Sequence, residues 1–290
     1  MSSAASDLMV PGTGRGLLDV FHHRYLLRLI VDKEIQIRYR GTVLGLVWSY
    51  LKPAVQFAVF YIAMGIFLGL NRGLTNFAVY LFAGIVLINF FSEIFGNASR
   101  SITSNGGLLK KIYLPRQLFP VSNLFVALVH FVPQIIILVI AALATGWLSG
   151  VGFKQVLAIP VALIIIAPFA LGLGLMFATF NVFFRDAENF VDMILMVATW
   201  ASPVLYAWTM VRDQLWNWVY YLYFLNPITV AVELFHYGFW YPTVNNPELW
   251  HLPPHLLSIW APIAVVISFV TLFVGDAMFR RYEGNFAQEL

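Results

Sequence analysis

The 290-residue chain contains no cysteine. Disulfide frameworks, thiolate metal sites, iron–sulfur clusters and cysteine nucleophiles are therefore excluded. Charge is scarce as well. Only 11% of residues are charged, whereas a soluble domain carries about 25%. So few charges cannot coat a chain that is 60% hydrophobic with a water-facing surface. A soluble globular enzyme is excluded on that ground, as are disordered, coiled-coil and collagen-like chains. The sequence also lacks the metal-binding H-E-x-x-H, the nucleophile elbow G-x-S-x-G and the phosphate-cradling G-x-x-x-x-G-K-[ST]. The expectation is a chain with no catalytic residues, no metal and no nucleotide site of its own, so that energy for any driven work must come from a partner.

What the chain has is long apolar runs and rings. Twenty-six Phe, 13 Tyr and 9 Trp make 17% of the residues. A helix needs about 20 apolar residues to cross the hydrocarbon core. Six stretches qualify, at residues 44–70, 77–98, 118–144, 156–180, 190–211 and 256–279. Residues 1–16 are polar and Gly-rich with no apolar core, and read as a disordered cytoplasmic tail rather than a cleavable signal. Without linkers or repeats, residues 17–290 form one all-α integral membrane domain.

Residues 17–40 carry Arg24, Arg28, Asp32, Gln36 and Arg40 at every fourth position, beside a stripe of Leu18, Phe21, Tyr25 and Leu29. This pattern predicts an amphipathic helix lying in the membrane interface. With the amino terminus inside, the cytoplasmic segments hold Arg15, Arg24, Arg28, Lys33, Arg38, Arg40, Arg100, Lys110, Lys111, Arg116, Arg185, Arg280 and Arg281. The outer segments hold only Arg72, Lys154 and Arg212. This bias places both termini in the cytoplasm and makes the number of crossings even. It also accounts for the net charge of +3 without nucleic acid.

Between the last two stretches, residues 212–242 alternate Trp- and Tyr-rich runs with breakers such as Asn226-Pro227. A re-entrant hairpin fits them better than a full crossing. Glu93, Asp192 and Glu233 are costly in lipid and should face basic partners or water. His130 has no acid near it in sequence. Gly172-Leu173-Gly174 reads as small-residue helix packing. In the loop 100–117, Asn105-Gly106-Gly107 breaks the chain and Leu108–Tyr113 is suited to a short docking helix tipped with Lys110 and Lys111.

Four segments in order along this chain resemble one family. They are Arg38-Tyr39-Arg40-Gly41-Thr42-Val43-Leu44-Gly45-Leu46-Val47-Trp48 with Lys52-Pro53, Leu108-Leu109-Lys110-Lys111-Ile112-Tyr113-Leu114-Pro115, Phe183-Phe184-Arg185-Asp186, and Tyr223-Phe224-Leu225-Asn226-Pro227. The chain resembles, from about residue 18 to 283, the ABC-2 type permeases of bacterial inner membranes that export O-antigen, capsular polysaccharide, teichoic acid and cell-wall galactan. Gly41-Thr42 departs from the lysine or serine frequent there.

The resemblance implies the six-helix ABC-2 fold and a homodimer served by two separate cytoplasmic ATPase subunits, which bind ATP and Mg. It implies a coupling segment containing Asn105, Leu108, Leu109, Lys110, Lys111, Tyr113 and Arg116. It also implies a polysaccharide cargo on a polyprenyl diphosphate. Arg38 and Arg40 are the candidates to meet the diphosphate. Trp48, Phe57, Tyr61, Trp200 and Tyr206 are the candidates to line a sugar path, since pyranose faces stack on rings. The alternatives are an exporter of drugs or small lipids and a membrane-embedded transferase. The transferase would need a cluster of titratable groups at one interface, which the sequence does not display.

Overall fold

The computed structural model describes residues 16–111, 114–184, 186–214, 216–244 and 252–290. The expected tail, Tyr113, Arg185 and His251 lie wholly or almost wholly outside them. Every regular element among the described residues is helical. Five helices are long and apolar enough to cross a membrane: Trp48–Phe67, Phe77–Ser104, Leu118–Ala144, Phe153–Phe183 and Leu256–Asn285. They are called the first, second, third, fourth and last spans below. Each lies where the apolar runs predicted it, and the third span has the expected limits.

The second span is the hub. It packs against the third and fourth spans and the bent segment before the last span. Leu81, Ile85, Leu87, Phe91 and Phe95 are fully buried along it. The fourth span carries glycines on two faces. A Cβ on Gly174 would lie 2.6 Å from Ala98 Cβ of the second span. A Cβ on Gly172 would lie 2.6 Å from the backbone nitrogen of Leu272 in the last span. Gly275 meets Gly172 from the opposite side. Lipid tails are as apolar as leucine, so helices in a bilayer gain by close backbone approach, and glycine permits it. The packing role expected for Gly172-Leu173-Gly174 is thus seen.

The run at 190–211 departs from expectation. Its helix covers only Ala187–Trp200, too short for the 20-residue requirement, and Trp208–Gln214 is a separate helix. Pro203 is the physical reason: it removes a donor and disfavours helix in the residue before it. The intervening backbone is not left to lipid. Tyr80 of the second span donates its hydroxyl to the carbonyls of Pro203 at 3.1 Å and Tyr206 at 2.8 Å, and Val204 and Leu205 are buried. Non-helical backbone at depth is tolerated where protein satisfies it in this way.

Asn217–Leu225 and Pro227–Thr243 meet at 82°. Asn226 Oδ1 accepts from Ile228 N at 3.0 Å and Pro227 occupies the first helical position. That combination starts a new helix in a new direction. A broken span and a re-entrant hairpin share this bend. The second arm is buried along its length, from Pro227 to Thr243 apart from the half-buried Tyr241.

The interface helix is kinked at His23, into Leu17–His22 and Arg24–Tyr39. Ile30 is buried and Leu26 and Leu27 pack on the bundle, while Phe21, Tyr25 and Leu29 stay exposed. The expected aromatic stripe therefore faces away from the protein, as interfacial anchoring in lipid requires.

Gly172→Val forces a side chain into the last span's backbone, which cannot yield as a flexible side chain can. It should cost at least about 1–3 kcal/mol and lower the thermal midpoint of the detergent-solubilised protein. Gly73→Ala, where a Cβ would meet nothing within 4 Å, should leave the midpoint unchanged.

Candidate functional site

The interface helix ends in Arg38-Tyr39, the first span begins at Trp48, and both border the second and third spans. Between them is a cavity of about 750 Å³. Its wall is polar for a membrane domain: Lys52 and Gln56 from the first span, Asn89, Ser92 and Glu93 from the second, and Gln134 from the third. Arg38, Tyr39, Trp48 and His130 complete the charged and aromatic lining.

One connected network organises this wall. Arg38 Nη1 is paired with Glu93 Oε1. His130 Nδ1 lies 2.5 Å from the same Glu93 oxygen, and His130 Nε2 lies 2.7 Å from the Tyr39 hydroxyl. The Tyr39 hydroxyl also bonds Ser49 Oγ. With a proton on Nδ1 the imidazole satisfies every member. Nδ1–H donates to Glu93, Nε2 accepts from Tyr39, and Tyr39 accepts from Ser49. The 3.2 Å approach of Arg38 Nη1 to His130 Nδ1 then brings two donors to one carboxylate rather than to each other.

By side chain His130 is 4%, Glu93 19% and Arg38 35% exposed, so the carboxylate and the imidazole are mostly buried while the guanidinium stays half-open to the cavity. Two further polar groups border the cavity. Asn89 Nδ2 donates to Gln56 Oε1 at 3.1 Å. Gln134 donates through Nε2 to the His130 carbonyl at 3.1 Å, leaving its buried Oε1 without a partner.

Sequence reading missed His130 and Glu93 as partners because 37 positions separate them. A depth comparison would have found them. Glu93 lies 11 residues before the end of the second span and His130 lies 12 after the start of the third. At about 1.5 Å per residue, antiparallel neighbours bring them level. Two of the three intramembrane acids, Glu93 and Asp192, lie against arginines, whereas Glu233 Oε1 and the neighbouring His236 Nδ1 are both buried without a hydrogen-bond partner. Asp192 pairs with Arg100 at 2.5 Å. Glu233 sits 3.8 Å from His236 Nδ1, both buried, with His236 Nε2 donating to the Tyr80 carbonyl at 3.1 Å. Asp276 pairs with Arg280 at 3.0 Å and accepts from Leu17 N at 3.2 Å.

The other candidates are dispersed. Arg40 is exposed just beyond the helix end and outside the cavity lining. Trp48 lines the cavity. Phe57 and Tyr61 pack on Phe82 and Phe77 of the second span, with ring centroids 5.5 and 6.0 Å apart. Trp200 is exposed, and the Tyr206 hydroxyl donates to the Trp200 carbonyl at 2.8 Å, which ties both to the helix break.

The expected docking helix at Leu108–Tyr113 is displaced. Among the described residues the helix is Gly106–Leu109, opened by Asn105, and Leu109 is buried while Lys110 and Lys111 are exposed. Leu108 is half-buried against the core. The Arg116 guanidinium lies 5.7 Å over the Phe286 ring, and Leu290 packs at Gly106. The carboxyl terminus thus braces this turn. Lys33 Nζ donates to Asn105 Oδ1 at 2.6 Å, which joins the interface helix to the turn as well.

Polar and aromatic side chains from four helical segments thus line one cavity in a membrane domain. The model of the family ABC-2 type transporter matches residues 25–240, and the chain belongs to that family. It is a multi-pass membrane protein with a transport role. It is similar to the O-antigen export system permease protein RfbA of Klebsiella pneumoniae, 26% identical over 275 residues that cover 91% of this chain and 95% of the relative. It is also similar to the O-antigen export system permease protein RfbA of Myxococcus xanthus, 27% identical over 273 residues, 94% of this chain and 98% of the relative.

His130→Ala removes a donor to Glu93 and an acceptor for Tyr39 at once. Glu93 keeps Arg38 and Tyr39 keeps Ser49, so the loss is two hydrogen bonds, about 0.5–1.5 kcal/mol each. Thermal unfolding in detergent should show a clear fall in the midpoint, whereas Arg40→Ala, outside the network, should leave it in place.

Proposed function

We propose that this chain is the permease subunit of an ABC exporter that moves a polyprenyl-diphosphate-linked polysaccharide from the cytoplasmic to the outer leaflet of a bacterial inner membrane. The observation that carries the reading is the match, over more than nine-tenths of the chain, to permeases named for O-antigen export. The cavity supports it physically. Hydroxyl-rich sugar needs hydrogen-bonding partners and ring faces, and Gln56, Asn89, Gln134 and Trp48 supply them. An exporter of drugs or small lipids would be served by an apolar pocket instead.

ATP hydrolysis belongs, on this reading, to two copies of a separate ATPase. The cytoplasmic turn at Asn105–Lys111 takes its stroke through the exposed Lys110 and Lys111 and, beyond the described residues, Tyr113. Buried Leu109 and partly buried Leu108 hold the turn's shape, and Arg116 fixes its base. Two copies of the permease form the path. In support, Val55, Val59, Ile62 and Ile66 of the first span are exposed, leaving an apolar face for a second copy or for lipid. Both termini lie in the cytoplasm. Arg38, on the cavity wall, meets the diphosphate; Arg40, the other candidate, lies outside the lining.

The test is export in cells. Depletion of the chain should trap lipid-linked polymer inside, and a wild-type copy should restore it to the surface. Lys110→Glu with Lys111→Glu should abolish stimulation of the partner ATPase and block export at unchanged thermal midpoint. Normal surface polymer in depleted cells would overturn the reading. ATP hydrolysis by the purified chain alone would overturn the division of labour.

A further inference from the structure

Three charged side chains face the 750 Å³ cavity, and they are not balanced. Glu93 is the single carboxylate on its wall and is already shared between Arg38 and His130. Lys52 lines the same cavity and makes no ion pair among the described residues. Arg38 engages Glu93 through Nη1, and the rest of its planar fork of N–H donors remains open to a ligand. Arg40 does not line the cavity. The two cations that converge on it are therefore Arg38 and Lys52, from the interface helix and from the first span.

We infer that Glu93 is a built-in counter-ion. It holds Arg38 while the cavity is empty and gives Arg38 up to the diphosphate of a lipid headgroup, which Lys52 completes as the second cation. The inference deepens the proposed function at the same cavity and rests on it for the identity of the cargo.

Glu93, 19% exposed against 35% for Arg38, is the more buried charge of the pair and needs a partner when no ligand is bound, which Arg38 supplies. A diphosphate offers Arg38 the same bidentate geometry as a carboxylate, with more charge. Glu93 is not stranded when Arg38 leaves, because His130 Nδ1–H stays on the same oxygen, 2.5 Å away, with Tyr39 behind it at Nε2. The imidazole is thus the positioning group that lets the carboxylate release its partner. Competition between Glu93 and the ligand also makes the bound headgroup easier to discharge, as an exporter requires.

The experiment is binding of polyprenyl diphosphate to the purified full-length permease, alone and with its ATPase, in phosphatidylcholine nanodiscs. Polyprenyl alcohol, inorganic diphosphate and phosphatidylglycerol serve as comparison ligands. Wild type should bind the diphosphate lipid more tightly than the alcohol. Inorganic diphosphate should compete, and phosphatidylglycerol should compete far less, which separates the lipid-linked diphosphate from ordinary lipid phosphate. Glu93→Gln keeps a hydrogen-bonding amide but removes the competing charge, and should bind the diphosphate lipid about tenfold more tightly; Lys52→Met should bind it about tenfold more weakly. Should Glu93→Gln not survive size exclusion, Glu93→Asp, which withdraws the carboxylate by one methylene, should show a smaller gain in the same direction.

Equal or weaker binding by the folded Glu93 variant overturns the counter-ion role. Equal binding of alcohol and diphosphate, or equal competition by phosphatidylglycerol, overturns the diphosphate site. If cells still export polymer through the wild-type chain in either case, the export reading stands and this inference alone falls.

Discussion

A charge inside a bilayer is costly unless partnered, and three side chains of this protein meet that constraint together at the junction that lines the cavity. Arg38, Glu93 and His130 come from three different helices and converge on a single carboxylate oxygen. The junction fixes where the interface helix ends against the second and third spans, and so defines one wall of the cavity. Elsewhere the helices are joined by close backbone contact through Gly172, Gly174 and Gly275, which needs no polar chemistry. The chain therefore uses glycine for close packing and a charged network to line a cavity.

The interface helix connects two regions of different purpose. At Arg38-Tyr39 it borders the cavity, and at Lys33 it reaches Asn105 at the start of the Gly106–Leu109 turn. The carboxyl-terminal Phe286 and Leu290 brace the same turn from below. Six residues of helix separate Lys33 from Arg38, counting both, which is little more than one and a half turns at about 3.6 residues per turn. A rigid element that short transmits a shift at one end to the other with little loss. The geometry thus ties the cavity wall and the Gly106–Leu109 turn to one helix.

Much of this was legible in the residues. Apolar length located the five long spans, period-four charge located the interface helix, and Asn226-Pro227 located the 82° bend. The run at 190–211 was not legible as two pieces, because hydropathy does not register Pro203, and only the fold reveals that Tyr80 secures the broken backbone. The cavity was hidden for another reason: His130 and Glu93 are 37 positions apart and Arg38 is 55 positions from Glu93. Arg38 was recognisable as a candidate for the diphosphate, but its resident partner was not. The short helix of this loop was expected from Leu108 and begins two residues earlier, at Gly106, since Asn105 opens it.

The most direct test is a structure of this permease with its ATPase and a bound polyprenyl diphosphate. The account predicts the diphosphate inside the cavity, against Lys52 and Arg38, with Glu93 turned to His130 alone. A headgroup bound away from those side chains, with the Arg38–Glu93 pair still closed, would contradict it.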